Sequence, residues 1–370
     1  MKLSINKEAL LNLLSKTQNI VEKRNTMPVL INVLLEATGS ELKIFATDLE
    51  VSLTDAVSAG IDQEGKVAVS AKNLFDIVKE LPEGEIHLTK KDNNWLELTQ
   101  NKSRFNIVGI GAEEYPVFPT FSTNEFLEVS SDILKEMIEK TIYSVSNDET
   151  RYHLNGVYFE NQGNESNTYR MVSTDGHRLS LVDRIPTKGN SAKNSSGVII
   201  PRKGLNEIRK MLDVSADLSF AIEGSQLIVK NDNTILMVRL IEGKYPNYSQ
   251  LIPQNLKQKA TVSKDEMLSC LKRVSLLSNQ KSKGITLNFH NGSMEISSNN
   301  PELGDAKEEI EVNYAGEELK IGFNAKYLMD VLNSINDDTV DIELNDQLSP
   351  ALIRPSHDPD YRCVIMPMRL

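Results

Sequence analysis

The sequence predicts an α+β protein of three tandem domains with similar folds, each with two short helices packed on antiparallel sheets. Three observations lead to this class. A ten-residue pattern occurs six times, each copy has apolar residues at helical spacing, and segments of alternating hydrophobicity lie between the copies. Six units grouped in pairs over 370 residues give three domains of a common size, about 120 residues each.

The repeated pattern begins with an aliphatic or aromatic residue, then usually Ser or Asn, then a charged turn, and its sixth residue is apolar. Successive copies start 64, 60, 71, 62 and 61 residues apart. Near-constant spacing of this kind indicates one supersecondary unit used repeatedly. The copies start at Ile5, Val69, Val129, Ile200, Val262 and Phe323, and their sixth residues are Leu10, Leu74, Leu134, Leu205, Met267 and Leu328.

Each copy predicts an amphipathic helix of about three turns. Its second residue is usually a good N-cap, because a side-chain oxygen there can accept from the free N–H groups of the first turn. In the fourth copy this residue is Pro201, which has no N–H to satisfy and suits a helix start. The five cap candidates are Asn6, Ser70, Ser130, Ser263 and Asn324.

Apolar and polar residues alternate in the segments between the helices, which predicts β-strands. Turn signals rich in Gly, Ser and Asn separate these segments. Each half-domain is therefore expected to be one short helix followed by several antiparallel strands. The clearest strands are 33–37, 42–46 and 226–230, and the clearest turns are 38–40, 223–225 and 291–293.

Two similar endings place the domain boundaries, one beginning at Tyr115 and the other at Tyr245, each followed by Pro. A boundary within 189–197 is less favoured, since that polar run is typical of a surface loop. The third domain lacks the Tyr-Pro ending and finishes with the apolar segment 364–370. The predicted domains are 1–122, 123–254 and 255–370.

The composition is that of a folded globular protein, with 39% hydrophobic and 25% charged residues. No apolar run approaches the ~18 residues of a membrane span, and charges among the first eight residues argue against a secretory signal. Cys270 and Cys363 lie among apolar neighbours, as buried free thiols in a reducing cytosol would. Five scattered histidines give no metal-ligand spacing. We therefore expect a cytoplasmic protein without metal or cofactor.

Positive charge is concentrated in the predicted helices. The 72 residues that follow the first positions of the six copies contain 14 Lys and Arg against 10 Asp and Glu, whereas the whole chain has a net charge of −11. If the helices share one surface, that surface could face phosphates while the rest of the protein repels them. The sequence has no base-reading motif, so such contact would be independent of DNA sequence. The most basic helix carries Arg202, Lys203, Arg209 and Lys210.

Four separated segments resemble the sliding clamps, the β subunits of bacterial DNA polymerase III. They are 151–156 (RYHLNG), 174–179 (TDGHRL), 323–327 (FNAKY) and 366–370 (MPMRL). The resemblance implies a head-to-tail homodimeric ring of six similar modules around duplex DNA, with helices lining the hole and sheets forming the rim. It also implies a protein without catalytic activity that tethers the polymerase catalytic subunit, the clamp loader and repair proteins.

The resemblance further implies a cleft between the second and third domains that accepts short hydrophobic peptides from these partners. Apolar residues with Met suit such a groove, although each aliphatic residue could equally belong to an ordinary core. The implied cleft residues are Leu154, Thr174, Gly176, His177, Arg178, Leu179, Pro246, Leu251, Asn324, Tyr327, Leu348, Val364, Ile365, Met366, Pro367, Met368 and Arg369.

Two other surfaces follow from the same resemblance. For DNA it implies Arg24, Tyr152 and His153, to which the basic helix adds Lys203 and Arg209. For the ring interface it implies opposite charges around an apolar centre, an arrangement that suits the closure of an edge strand. The implied interface residues are Lys102, Arg104, Phe105 and Ile107 in the first domain, and Leu276, Leu277, Glu302, Asp305, Glu308 and Glu309 in the third.

Two other functions remain open at this point. Asp175 and His177, with Ser173 or Ser180 nearby, could suggest a hydrolase, but no G-x-S-x-G elbow surrounds either serine. Gly109 and Gly111 lack the third glycine of a dinucleotide loop. A peptide-binding scaffold that does not bind DNA is the second alternative, and the sequence separates it poorly from a clamp.

Overall fold

The structure, a computed structural model, describes residues 1–21, 27–123, 125–162, 168–185, 197–213 and 217–369. The described part contains six α-helices, which are α1 (Lys7–Ser15), α2 (Ala71–Glu80), α3 (Ser131–Glu139), α4 (Arg202–Leu212), α5 (Lys264–Val274) and α6 (Ala325–Ser334).

The strands pair antiparallel throughout the described residues. In chain order they are β1 (Lys2–Asn6), β2 (Asn32–Thr38), β3 (Glu41–Thr47), β4 (Val51–Ser58), β5 (Gly60–Gln63), β6 (Gly65–Ser70), β7 (Glu85–Lys90), β8 (Leu96–Gln100), β9 (Ser103–Ile107), β10 (Gly109–Ile110), β11 (Leu127–Ser130), β12 (Gly156–Asn161), β13 (Tyr169–Thr174), β14 (Arg178–Arg184), β15 (Val198–Pro201), β16 (Asp217–Glu223), β17 (Gln226–Asn231), β18 (Thr234–Arg239), β19 (Gln258–Ser263), β20 (Gly284–His290), β21 (Ser293–Asn300), β22 (Gly304–Asn313), β23 (Leu319–Asn324), β24 (Thr339–Leu344), β25 (Ala351–Pro355) and β26 (Tyr361–Ile365).

All six helices begin at the predicted repeats. Asn6 accepts from the N–H of Glu8 at 2.9 Å, and Ser70 accepts from that of Asn73 at 3.3 Å. The predicted caps at Ser263 and Asn324 are formed in the same way. Pro201 is the last residue of β15, and α4 follows it directly. The predicted sixth residues, such as Leu10 and Leu328, are buried, so one face of each helix packs inward.

The predicted strands and turns are also confirmed, since β2, β3 and β17 contain 33–37, 42–46 and 226–230. The chain forms two compact units. The first comprises 1–131 and 203–240, and it contains a five-stranded sheet, β5-β1-β7-β8-β9, and a nine-stranded sheet, β10-β6-β2-β3-β4-β18-β17-β16-β11. The second comprises 132–202 and 241–370, with one sheet of order β15-β12-β13-β14-β26-β25-β24-β19-β22-β21-β20-β23.

One kind of strand pairing occurs twice. In the first unit the start of β4 pairs with the end of β18, with Val51 opposite Val238. In the second unit the start of β14 pairs with the end of β26, with Arg178 opposite Ile365. We call these the first and second junctions. The nine-stranded and the twelve-stranded sheet therefore each continue from one predicted domain into the next, whereas the five-stranded sheet lies within the first. The alternative boundary at 189–197 lies mostly outside the described residues.

Candidate functional sites

The turn 174–178, between β13 and β14, forms one side of the predicted cleft. One Asp175 carboxylate oxygen accepts from the N–H groups of His177 and Arg178 at 2.9 and 3.0 Å, and Thr174 Oγ1 accepts from the N–H of Gly176 at 3.1 Å. Gly176 has φ +91°, a conformation that L-residues rarely adopt, so glycine suits the position. These bonds fix the turn and leave Gly176 and His177 exposed.

The end of the chain lies against this turn. Beyond the last strand, the N–H of Met366 donates to the carbonyl oxygen of His177 at 2.9 Å, and the N–H of Met368 donates to that of Gly322 at 2.8 Å. The tail is thus hydrogen-bonded both to the turn of the second predicted domain and to β23 of the third. This arrangement holds Met366 and Met368 at the surface, where both retain exposure.

A buried arginine crosses the cleft beneath the turn. The Arg178 side chain is 7% exposed and donates from Nε to Asp175 at 3.1 Å and from Nη1 to Asp330 at 2.6 Å. Its Nη2 donates to the carbonyl oxygen of Tyr143 at 2.6 Å. The guanidinium also lies over the ring of Tyr327, 4.4 Å from its centroid. Arg178 therefore joins the turn, α6 and the segment around Tyr143.

Several predicted cleft residues form a buried floor rather than an exposed wall. Thr174 and Ile365 are buried, and Leu154, Leu179 and Val364 pack into one hydrophobic cluster. The side chains of Leu154, Leu179, Val364 and Ile365 are thus part of the core. The other buried members of the cluster are Val172, Leu181, Ile199, Tyr245, Tyr248 and Leu352.

Other predicted cleft residues, which we call the rim, are more exposed and mostly apolar. Leu348 is 69% exposed, and Leu251 and Met366 are each 40% exposed. Pro246, Tyr327, Pro367 and Met368 are half-buried and Arg369 is exposed. Asn324 is occupied as the cap of α6, and its Nδ2 donates to the carbonyl oxygen of Ser282 at 3.0 Å. An apolar floor with an apolar, partly exposed rim can take the side chains of a hydrophobic peptide.

The sequence did not indicate every residue of this cleft. It gave no role to Asp330, Tyr143 or Leu352, although all three contact predicted cleft residues or their cluster. A signal existed for Asp330, because it follows Tyr327 by three positions and so lies on the same helix face. The other two carry no local signal, since only the folded chain brings them to the site.

The hydrolase alternative is not supported by the geometry. Both candidate nucleophiles are fully buried. Ser173 Oγ donates to the carbonyl oxygen of Thr141 at 2.5 Å, and Ser180 Oγ donates to that of Lys140. The Asp175 carboxylate is already bonded to backbone N–H groups and to Arg178. Neither of these two serines is therefore positioned for His177 to activate.

The residues predicted to contact DNA differ in their exposure and in whether they form ion pairs. Tyr152 is 56% exposed at the end of a short 3₁₀ segment, with the His153 ring 6.0 Å away, edge to face. Arg24 lies outside the described residues. In the first unit, Lys203 forms an ion pair with the buried Asp48, while Arg209 is half-buried.

The basic helix has less free charge than its sequence indicates. Lys203 is paired with Asp48, and Lys210 is paired at 2.6 Å with Glu207, one turn away on α4. Arg202 Nη1 donates to the side-chain oxygen of Asn147 at 2.8 Å. Salt bridges of this kind lower the local positive potential without removing it.

The predicted ring-interface residues lie on two open strand edges, β9 and β22, or in the turns before them, except Leu276 and Leu277, which belong to a 3₁₀ segment after α5. Within the described residues β9 pairs only with β8, and 304–311 of β22 pair only with β21. Phe105 is 37% exposed and Leu276 is 76% exposed, while Leu277 is half-buried. Lys102, Glu302, Asp305 and Glu309 are exposed as well. Unpaired edges of this length are ready to pair with another strand.

Three interface residues are engaged within the chain itself. Ile107 is buried, so its side chain packs in its own domain and cannot contact another subunit. Arg104 pairs with Glu97 at 3.1 Å, and Glu308 is bonded through both carboxylate oxygens to Arg273 at 2.8 and 2.5 Å. The hydrogen bond from Arg273 lowers the pKa of Glu308.

The described residues hold no group of three His, Cys, Asp or Glu side chains placed to bind a metal ion. Cys270 and Cys363 are free and buried, as expected, and burial raises the pKa of Cys270 to about 12. A helix long and apolar enough to cross a membrane does not occur in the described part of the chain.

Comparison with known families covers the chain in three consecutive parts. Residues 1–119 match the N-terminal domain of the DNA polymerase III beta subunit, 128–247 match its central domain, and 249–369 match its C-terminal domain. Among curated proteins, the beta sliding clamps of Caulobacter vibrioides and Proteus mirabilis are 35% and 34% identical, and the matches cover 100% of each chain.

Solved structures resemble the chain over its whole length. A Caulobacter crescentus beta sliding clamp with PEG bound has a TM-score of 0.94 at 35% identity. DnaN sliding clamps of Pseudomonas aeruginosa and Bartonella birtlesii, each bound to griselimycin, have TM-scores of 0.92 and 0.95 at 32% and 30% identity. All three matches cover 100% of both chains.

Proposed function

The chain belongs to the family of DNA polymerase III beta subunits, and we infer that it is a DNA sliding clamp that encircles duplex DNA and confers processivity on the replicative polymerase. The full-length match in three consecutive parts carries this conclusion. It agrees with a structure of three similar α+β modules in tandem. The chain is accordingly a non-catalytic subunit, and its cleft is a binding site.

Ring closure follows from the strand pairing that repeats at the two junctions. The module of β4 joins the next module through β18, and the module of β14 joins the third through β26. By the same repeat, β22 corresponds to β4 and β14, and β9 corresponds to β18 and β26. Both are open edges within the described residues. We propose that β22 of one copy pairs with β9 of another, head to tail, in a two-fold closed ring.

Charge and apolar surface support this pairing. Lys102 and Arg104 flank Phe105 on one edge, and the acidic Glu302, Asp305, Glu308 and Glu309 accompany Leu276 on the other. An apolar centre with complementary charges around it is typical of a specific interface. The buried Ile107 side chain packs within its own domain and is not one of the proposed contacts with the other subunit.

The helices supply the proposed DNA-facing surface. Tyr152, His153, Lys203 and Arg209 are the proposed contacts in the described residues, and Arg24 joins them from the family resemblance. A ring retains DNA by topology rather than by affinity, so a weakly basic surface is sufficient. Partly neutralised lysines on α4 fit this requirement, because strong phosphate contacts would hold the protein at one position.

The cleft is the proposed site for short hydrophobic peptides of the polymerase catalytic subunit, the clamp loader and repair proteins. Its exposed rim (Leu251, Leu348, Met366, Pro367 and Met368) would contact the peptide directly, while the buried residues shape the floor. Griselimycin, bound in two related clamps, is a practical probe for this site. The proposed domains remain 1–122, 123–254 and 255–370, and the proposed location is the cytoplasm, where bacterial DNA lies.

The test is retention on DNA of different topology. The purified dimer is loaded by the clamp loader of the same organism onto a nicked circular plasmid and separated from free protein by gel filtration. A clamp stays with the circle and elutes as free protein once a restriction enzyme linearises it. Equal retention on both forms would exclude topological binding, and so would a monomer at micromolar concentration.

A further inference from the structure

We propose that Asp330 is a positioning residue of the partner cleft. By holding Arg178, it fixes Tyr327 and the turn 174–178 in the arrangement that receives a peptide. This inference rests on the proposed function and deepens it. It names a residue that does not contact the peptide but affects the affinity of the cleft for the peptide by positioning other residues. We call the set Asp175, Arg178, Tyr327 and Asp330 the cleft brace.

The positive charge of Arg178 is buried. The Arg178 side chain is 7% exposed, and its carboxylate partners Asp175 and Asp330 are 15% and 26% exposed. A guanidinium so far from water must have its hydrogen bonds satisfied, and removing one partner leaves an uncompensated charge. The 2.6 Å bond from Arg178 to Asp330 is the shorter of its two carboxylate contacts.

The brace links separate parts of the chain. Asp175 belongs to the turn after β13, whereas Asp330 and Tyr327 lie on α6 of the third predicted domain. The hydrogen bond from Arg178 to Asp330 joins residues 152 positions apart. The Arg178 guanidinium stacks on the Tyr327 ring, 4.4 Å from its centroid, and this contact orients the ring. The Arg178 side chain thus adds a direct link between the turn and α6 to the backbone pairing of β14 with β26.

The first junction closes with a different set of side chains, since Asp48 of its turn forms an ion pair with Lys203 of α4. Val51 lies opposite Val238 there, as Arg178 lies opposite Ile365. The position of Asp330 in its repeat, seven residues after Phe323, corresponds to Glu207, seven residues after Ile200. Glu207 pairs with Lys210 on its own helix at 2.6 Å. Of the two junctions, only the second joins its turn to its helix through a buried arginine that also contacts a tyrosine, and this is the junction beside the proposed cleft.

The effect on binding follows from preorganisation. With the brace intact, Tyr327 and the turn are already held in place, and a peptide does not bear the entropy of ordering them. Without Asp330, Arg178 loses its hydrogen bond to α6, and Asp175 becomes its one remaining carboxylate partner. The two sides of the cleft then have to be ordered when the peptide binds, so affinity falls.

The experiment measures griselimycin binding to the full-length dimer by isothermal titration calorimetry. Asp330→Ala is expected to weaken binding about tenfold, the effect of losing one charge-assisted hydrogen bond. Asp330→Asn should weaken it less, since the amide oxygen can still accept. Glu207→Ala at the first junction is the matched control and should leave griselimycin affinity unchanged.

A double-mutant cycle separates positioning from a general structural role. In an Arg178→Ala background the Asp330→Ala change should have almost no further effect on affinity, because the brace is already lost. Additive losses would overturn the proposal, as would wild-type affinity in Asp330→Ala. Failure of the wild-type protein to bind griselimycin would instead count against the proposed cleft itself, and retention on circular DNA reports separately on the clamp function.

Discussion

The backbone N–H of Met366 donates to the carbonyl oxygen of His177 at 2.9 Å, and this bond holds the end of the chain against the cleft turn. The first junction has the same bond, from Arg239 to Glu50 at 2.8 Å. The two junctions therefore share this backbone hydrogen bond as well as the strand pairing. The two junctions differ in the residues that follow this bond, since Met366 is followed by the half-buried Pro367 and Met368 and by the exposed Arg369.

Deleting residues 366–370 should abolish griselimycin binding while the protein remains a dimer. The deletion removes Met366 and Met368 from the rim, together with the bonds to His177 and Gly322. The predicted dimer edges at β9 and β22 are not touched. Calorimetry and light scattering measure the two properties, and a truncated protein that binds griselimycin normally would refute the cleft assignment.

Replacing Leu276 by Asp should convert the dimer to a folded monomer. Leu276 is 76% exposed, so the substitution disturbs little within the subunit, but it places a charge in the apolar centre of the proposed interface. Mass measured by light scattering at micromolar concentration is the readout. Val117→Asp, at a residue 94% exposed and outside the proposed interface, is the control and should stay dimeric. A dimeric Leu276→Asp variant would argue against the β9–β22 pairing.

Replacing Leu49 by Asn should stabilise the protein. Leu49 has φ +76° in the turn after β3, a conformation that costs an L-residue about 1 kcal/mol and that Asn adopts readily. Its side chain is 51% exposed, so little burial is lost. Thermal unfolding should show a higher midpoint. Leu303→Asn, at 48% exposure and without a positive φ, is the matched control, and an equal gain there would show that strain is not the cause.

Acid should remove part of the stability of the second unit through Asp358. Burial raises the pKa of this carboxyl, but the hydrogen bonds and the positive charges of Lys140 and Arg184 together lower the pKa by more, so the net shift is downward. A carboxyl whose pKa is lower in the folded chain stabilises the fold above its unfolded pKa, near 4, and this contribution is lost as pH falls through the folded pKa.

The substitution that tests this is Asp358→Asn, which leaves Lys140 and Arg184 short of a charged partner. It should lower the free energy of unfolding at pH 7 by about 2 kcal/mol, and the difference from the wild type should shrink toward pH 3. Urea unfolding across this range is the measurement. Asp62→Asn, which removes an exposed ion pair with Lys2, should have a much smaller effect. A difference for Asp358→Asn that stays constant with pH would contradict the assignment.

Much of the fold and part of the cleft could be predicted from the sequence. The caps at Asn6 and Asn324 and the apolar faces of the helices depend on neighbours within a few residues, so their pattern is readable locally. The cleft segments were identified because motifs such as 174–179 and 366–370 resemble a known family. Which of their side chains are exposed could not be read in this way, and Leu154 and Val364 proved to be buried.

The repeating module can be predicted from the sequence alone, because helical and strand periods are set by local geometry and repeat visibly along the chain. The folded chain is needed to identify the partners of Arg178, the ion pair of Lys203 with Asp48 and the burial of Ile107. These contacts join residues far apart in sequence. They depend on which strands pair and which charges can be satisfied once water is excluded, and no local pattern encodes that choice.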